Sequence, residues 1–220
     1  MNPTCMWRRS LRAVTAAAVL ALVAASAQAS LTTFELSFEF SGATPPEGMA
    51  PWLTATFDDH DTPGSVDLTL ETTNLTDNEF VFEWLFNLDP ELDVSALVLS
   101  EPVKAGEFAD PTIDLGMDSF PGDGGGYFDI RIDFDNSNGP STRFGVGDAA
   151  EYTITGISTL TAESFDFLSA PHGGHGTHAT AAHIGGIGPD DGDSGWISVP
   201  EPATLGALAL GGLALLCRRR

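Results

Sequence analysis

Cysteine is missing from the whole middle of this chain. Cys5 and Cys217 lie near the two ends, and none falls between residues 30 and 198. That excludes internal disulfides, a cysteine nucleophile and a cysteine-ligated zinc site from the central body. A body of that size without disulfides has to stand on its own hydrophobic core. Positive charge is nearly as scarce. Of nine Lys and Arg, three (Arg8, Arg9, Arg12) are near the start and three (Arg218, Arg219, Arg220) close the chain. Only Lys104, Arg131 and Arg143 remain against 31 Asp and Glu, all of which fall between Glu35 and Glu201. Such a surface repels phosphate backbones, which excludes nucleic acid as a partner. Divalent cations, basic partners and neutral glycans are compatible with it. The body also lacks any stretch with a sustained helical period.

What is present is organised in three parts. At the start, the three arginines are followed by an apolar stretch (13–25) and then by Ala27-Gln28-Ala29. A basic region, a short apolar core and an Ala-x-Ala site make a secretory signal peptide spanning 1–29, cut after Ala29. Its partners are the Sec translocon and signal peptidase. The chain is therefore expected to be exported, with a body at 30–198. At the far end, residues 203–217 carry no charge and are rich in Leu, Ala and Gly. As a helix this segment spans roughly 22 Å, less than the roughly 30 Å hydrocarbon core of a bilayer. The arginines behind it belong on the cytoplasmic side, which leaves the body outside. This is a short transmembrane helix suited to transient holding in the inner membrane.

Val199-Pro200-Glu201-Pro202-Ala203, the apolar span and the basic end Arg218-Arg219-Arg220 together resemble the PEP-CTERM sorting signal. The resemblance implies an exported protein of a Gram-negative bacterium that makes exopolysaccharide. It also implies exosortase as the partner that recognises and cuts the 199–220 tail.

The body reads as strands. Phe34, Leu36, Phe38 and Phe40 alternate with polar residues, as do Val66, Leu68 and Leu70, and Phe128, Ile130, Ile132 and Phe134. Phe80, Phe82, Trp84, Phe86 and Leu88 line one face of another segment. A period of two with one apolar face marks a half-buried antiparallel strand. Shorter candidates cover 52–57, 94–99, 152–157, 164–168 and 180–184, and turn signals such as Thr62-Pro63-Gly64 and Pro121-Gly122-Asp123-Gly124 separate them. About nine strands at this spacing predict an all-β, antiparallel β-sandwich, of which the jelly roll is one form. The segments 51–59 and 86–90, with Ala181-Ala182-His183-Ile184 and Ser194-Gly195-Trp196, resemble PEP-CTERM proteins whose bodies have no assigned activity.

Three patterns could carry chemistry. His183 and Ser194 sit in stretches that mimic serine-protease signatures, but only eleven positions apart and with no second half of a double barrel, so no catalytic role is assigned. His172, His175 and His178 fall in a Gly-rich loop and could ligate zinc if their rings converged. Acidic loops at 58–61, 133–136 and 190–193 offer oxygen ligands for calcium without matching an EF-hand. Glycoside hydrolysis needs two placed carboxyls, and no spacing singles out a pair. The expectation is a non-enzymatic surface or exopolysaccharide-matrix protein with a structural or interaction role. The alternative is a glycan-binding module using Trp52, Tyr127 and Trp196 as a platform. Clustered, solvent-facing rings would favour the second reading; scattered or buried rings would favour the first.

Overall fold

The structure, a computed structural model, describes residues 30–136, 139 and 141–200. The signal peptide at 1–29 and the tail from Glu201 onward, with its transmembrane helix and basic end, lie outside the described residues. Among the described residues no helix is long and apolar enough to cross a membrane.

The chain forms β1 (Leu31–Leu36), β2 (Phe38–Glu39), β3 (Leu53–Asp58), β4 (Val66–Glu71), β5 (Phe80–Phe86), β6 (Val98–Leu99) and β7 (Val103–Ala105). It continues through β8 (Thr112–Pro121), β9 (Tyr127–Asp133), β10 (Phe144–Gly145), β11 (Ala149–Thr155), β12 (Thr180–Ile187) and β13 (Asp193–Ser198). Every pairing is antiparallel. One sheet has the order β1-β3-β4-β11, with β6 and β7 both joining β11. The other runs β2-β13-β12-β5-β9-β8, with β10 also on β5. The chain leaves the first sheet for the second at Ser37, whose N–H donates to Ser198 O at 3.0 Å.

The two sheets close on one apolar core, which makes the fold an all-β antiparallel sandwich. Phe57 of β3 meets Phe86 of β5 edge-on at 5.4 Å and stacks on Phe165 at 4.2 Å. Trp84 is fully buried. Its Nε1 donates to Thr180 Oγ1 at 2.9 Å, and Thr180 Oγ1 donates in turn to Leu85 O at 2.7 Å, so the one polar atom of a large apolar ring is satisfied. Asn87, just past β5, donates from Nδ2 to the carbonyls of Phe167, His178 and Ala179 and so ties two loops to the end of the sheet.

Two expected strands take another form. Residues 164–168 were expected to be extended, yet Ala162–Phe165 is a 3-10 turn. Ser164 Oγ accepts from Thr161 N at 3.1 Å, a local bond that competes with a ladder. Likewise Val94–Ala96 is a 3-10 turn capped by Asp93, which accepts from Ser95 N at 3.0 Å, and only Val98–Leu99 of that segment pairs as strand.

Candidate functional site

The last strand sets the start of the tail. Ser198 is fully buried and donates from Oγ to Thr180 O at 2.8 Å. Val199 packs against the core. Val199 and Pro200 line an apolar cavity of about 290 Å³ with Thr33, Phe34, Leu168 and Ala179. The first residues of the Val-Pro-Glu-Pro stretch are thus part of the folded body, and no linker stands between β13 and Pro200. The PEP-CTERM protein-sorting motif matches residues 198–220. The chain carries the PEP-CTERM sorting signal. No curated protein and no solved structure matches the chain. The PEP-CTERM motif is the signal that exosortase recognises, so export and membrane-anchored transit come with it.

The second notable region is the outer face of the larger sheet. Strand register puts Trp196, His183, Glu83, Asp133 and Thr112 in one line across β13, β12, β5, β9 and β8. The next line holds Ser198, Ala181, Leu85, Arg131 and Asp114. On one half of this face His183 is sandwiched between Phe82, at 4.7 Å, and Trp196, at 4.9 Å and within 2° of parallel. Phe40 continues the row, tilted against Trp196 at 6.4 Å and stacked on His178 at 4.2 Å. Burial pushes the His183 imidazolium toward losing its proton, and nearby Asp123 opposes that shift.

The other half is charged. Arg131 donates from its terminal nitrogen to Asp114 Oδ2 at 2.6 Å and lies over Phe120 at 5.1 Å. Burial raises the pKa of Glu83 above the usual carboxylate value; Arg131 counters the shift and Asp133 adds to it. A carboxyl held toward its acid form beside a second carboxylate is the pairing used in acid–base chemistry, but structural ion networks produce the same shift. Here Arg131 with Asp114 supplies such a network. Reading from sequence passed over Glu83 because it stands inside the aromatic run Phe82-Glu83-Trp84. Its only signal was a carboxylate within an apolar stripe.

The expected metal ligands do not meet. His172 lies against Tyr127 at 4.3 Å, His178 stacks on Phe40, and His175 is exposed with its N–H on Gly124 O. Among the described residues no three His, Cys, Asp or Glu side chains converge as a metal site. The loop carboxylates instead hold backbone and side-chain donors. Asp58 accepts from His60 N, Asp193 from Thr44 Oγ1 and Asp191 from Asn78 Nδ2.

The three rings considered as a glycan platform are also separate. Trp52 is buried at 7% exposure, with Nε1 donating to Gly48 O at 2.6 Å. Tyr127 has a face against His172, and Trp196 has a face against His183. Trp52 was placed outside the apolar stripes from sequence, but its ring joins the core just ahead of β3, where its backbone N–H donates to Leu36 O at 3.0 Å. The protease-like pair is set apart by register as well. Ser194 lies opposite Gly185, while His183 lies opposite Trp196.

Proposed function

We propose that this protein is exported, held briefly in the inner membrane by its tail and then placed by exosortase at the cell surface or in an exopolysaccharide matrix. There its acidic sandwich has a structural or interaction role, with no catalytic step and no required cofactor. The observation that carries the reading is the direct continuation of β13 into the sorting motif, with Val199 and Pro200 packed on the body. The tail therefore acts on this folded domain and not on a loosely tethered one. An acidic, disulfide-free body also suits such a place. Its charge keeps like molecules apart, and cations can bridge it to anionic polymer. Glycan binding has less support, because a sugar ring needs an open aromatic face and the Trp196 and Tyr127 rings are covered on at least one side by histidines.

The test is replacement of Pro200, Glu201 and Pro202 by alanine in the full chain. A full-length form should then accumulate in the inner membrane. Arrival at the surface at the same size as the unaltered protein would overturn the reading.

A further inference from the structure

We infer that the mature chain begins at Ser30 and that its new α-ammonium group forms an ion pair with the buried carboxylate of Asp59. This deepens the export reading and rests on it, since the ammonium exists only after cleavage behind Ala29.

The pairing is already laid out. Asp59 is 4% exposed. Its Oδ1 accepts from Ser30 N at 2.9 Å, and Asp59 N donates back to Ser30 O at 3.3 Å. The same Oδ1 accepts from Asp61 N at 3.2 Å, and Oδ2 accepts from Ala162 N at 3.4 Å. All of these donors are amides. The three cations of the body are engaged elsewhere: Lys104 on Asp110, Arg131 on Asp114, and Arg143 over the ring of Phe80. His60, the neighbour of Asp59, bridges Asp58 and Asp67. None of the ion pairs among the described residues includes Asp59.

The amides around Asp59 donate hydrogen bonds to its carboxylate but bring no full positive charge to it. Signal-peptide cleavage supplies the cation at the atom already in contact. Water adds to the Ala29 carbonyl, the C–N bond to Ser30 breaks, the leader departs with an Ala29 carboxylate, and Ser30 keeps an amine that is protonated near neutral pH. The amide donor at 2.9 Å becomes a charged one, and charge-assisted hydrogen bonds are about twice as strong as neutral ones. Maturation then fastens the start of β1 to the 58–62 turn and to the 3-10 turn at Ala162–Phe165. The Ala-x-Ala site and Asp59 are thirty positions apart in the chain and act on one nitrogen.

The experiment uses the full chain, exported with its own leader and recovered after processing. N-terminal sequencing comes first. A start other than Ser30 would overturn the cleavage reading itself, independently of the ion pair. One glycine is then inserted between Ala29 and Ser30, which leaves the leader intact but moves the ammonium one residue away and restores an amide at Ser30. The expected result is a melting temperature lower by about 3–6 °C, with no such drop when the insertion is made in an Asp59→Asn background. Equal drops in both backgrounds would overturn the pairing. If Asp59→Asn does not fold, the insertion with Asp59 intact still decides: a melting temperature unchanged within about 1 °C would overturn it.

Discussion

On the outside of the smaller sheet, Thr33, Glu35, Thr54, Thr56, Asp67, Thr69, Glu71, Glu151 and Thr153 stand at every second position, and each is at least partly exposed. They bond among themselves, as when Thr153 Oγ1 donates to Asp67 Oδ1 at 2.8 Å. On the outside of the larger sheet the same positions hold Phe40, Trp196, His183, Leu85 and Arg131, and a second apolar cluster of Phe40, Leu85, Phe128 and Ala181 is buried there. Loops rich in glycine come down on that cluster. A Cβ at Gly125 would stand 2.8 Å from both His178 and Phe40, and one at Gly122 would stand 2.7 Å from Phe128. One sheet is therefore wet on its outer side, whereas much of the other is covered on both. Strands buried on both faces lose the polar-apolar alternation, which is why β12 reads as small and apolar residues apart from Thr180 and His183.

The largest expected effect breaks the covered face. The ring of Phe82 lies across Gly185, where an added Cβ would be 2.1 Å from the ring. Gly185→Ala forces Phe82 off His183 and disturbs the stack that includes Trp196. We expect a loss of about 1–3 kcal/mol in denaturant unfolding. Thr69→Ala, on the wet face of the other sheet, is expected to cost within about 0.5 kcal/mol. Equal losses at the two sites would mean that the aromatic stack is not coupled to the fold and that the two outer faces are energetically alike.

That contrast also sets how much of the structure was legible in the sequence. Alternation in β3, β4 and β11 is strict, so the middle of the smaller sheet was legible, although the candidate at 152–157 overlaps only the second half of Ala149–Thr155 and β7 was passed over. β8 and β13 were passed over. The segment Thr112–Pro121 carries Gly116 and four polar residues at the sheet edge, and Asp193–Ser198 reads as turn chemistry until Ile197. Both are strands because a partner's register imposes it, a long-range cause that no local pattern carries. The sorting motif was legible because its parts are contiguous. The Phe82–His183–Trp196 stack was not, because it joins three strands whose order is fixed only on folding. Trp52 was misjudged for a related reason, since a ring flanked by Pro51 and lying ahead of its strand gives no periodic sign of burial.

A moderate effect is expected from the charged half of the covered face. Burial raises the folded pKa of Glu83 above that of the unfolded chain. The sign follows from proton counts. Between the unfolded and folded values the native state binds more protons, so Glu83 favours folding as pH falls through its folded pKa and weighs against it above that. Glu83→Gln removes the buried charge, and the melting temperature at pH 7 should rise by about 1–3 °C. The advantage should shrink as pH falls toward the usual carboxylate range. A loss of stability at pH 7 would show instead that Arg131 depends on Glu83 more than Glu83 suffers from burial.

The smallest effect lies on the inner side of the simpler sheet. Tyr152 of β11 is fully buried, and its hydroxyl has no hydrogen-bond partner among the described residues. Burial, with Asp110 and Glu101 nearby, pushes its ionisation upward, so the phenol stays neutral at any ordinary pH. An orphan polar atom in a core costs its desolvation, whereas removing it leaves an apolar ring of almost the same shape. Tyr152→Phe should therefore be neutral or stabilising by up to about 1 kcal/mol in denaturant unfolding. Only the core side of that sheet is altered, so Thr69→Ala measured in this background should keep its small cost. A clear destabilisation by Tyr152→Phe would mean that the hydroxyl is held by a bonded water between the sheets, and the inner side of the plainer sheet would then be the wetter of the two.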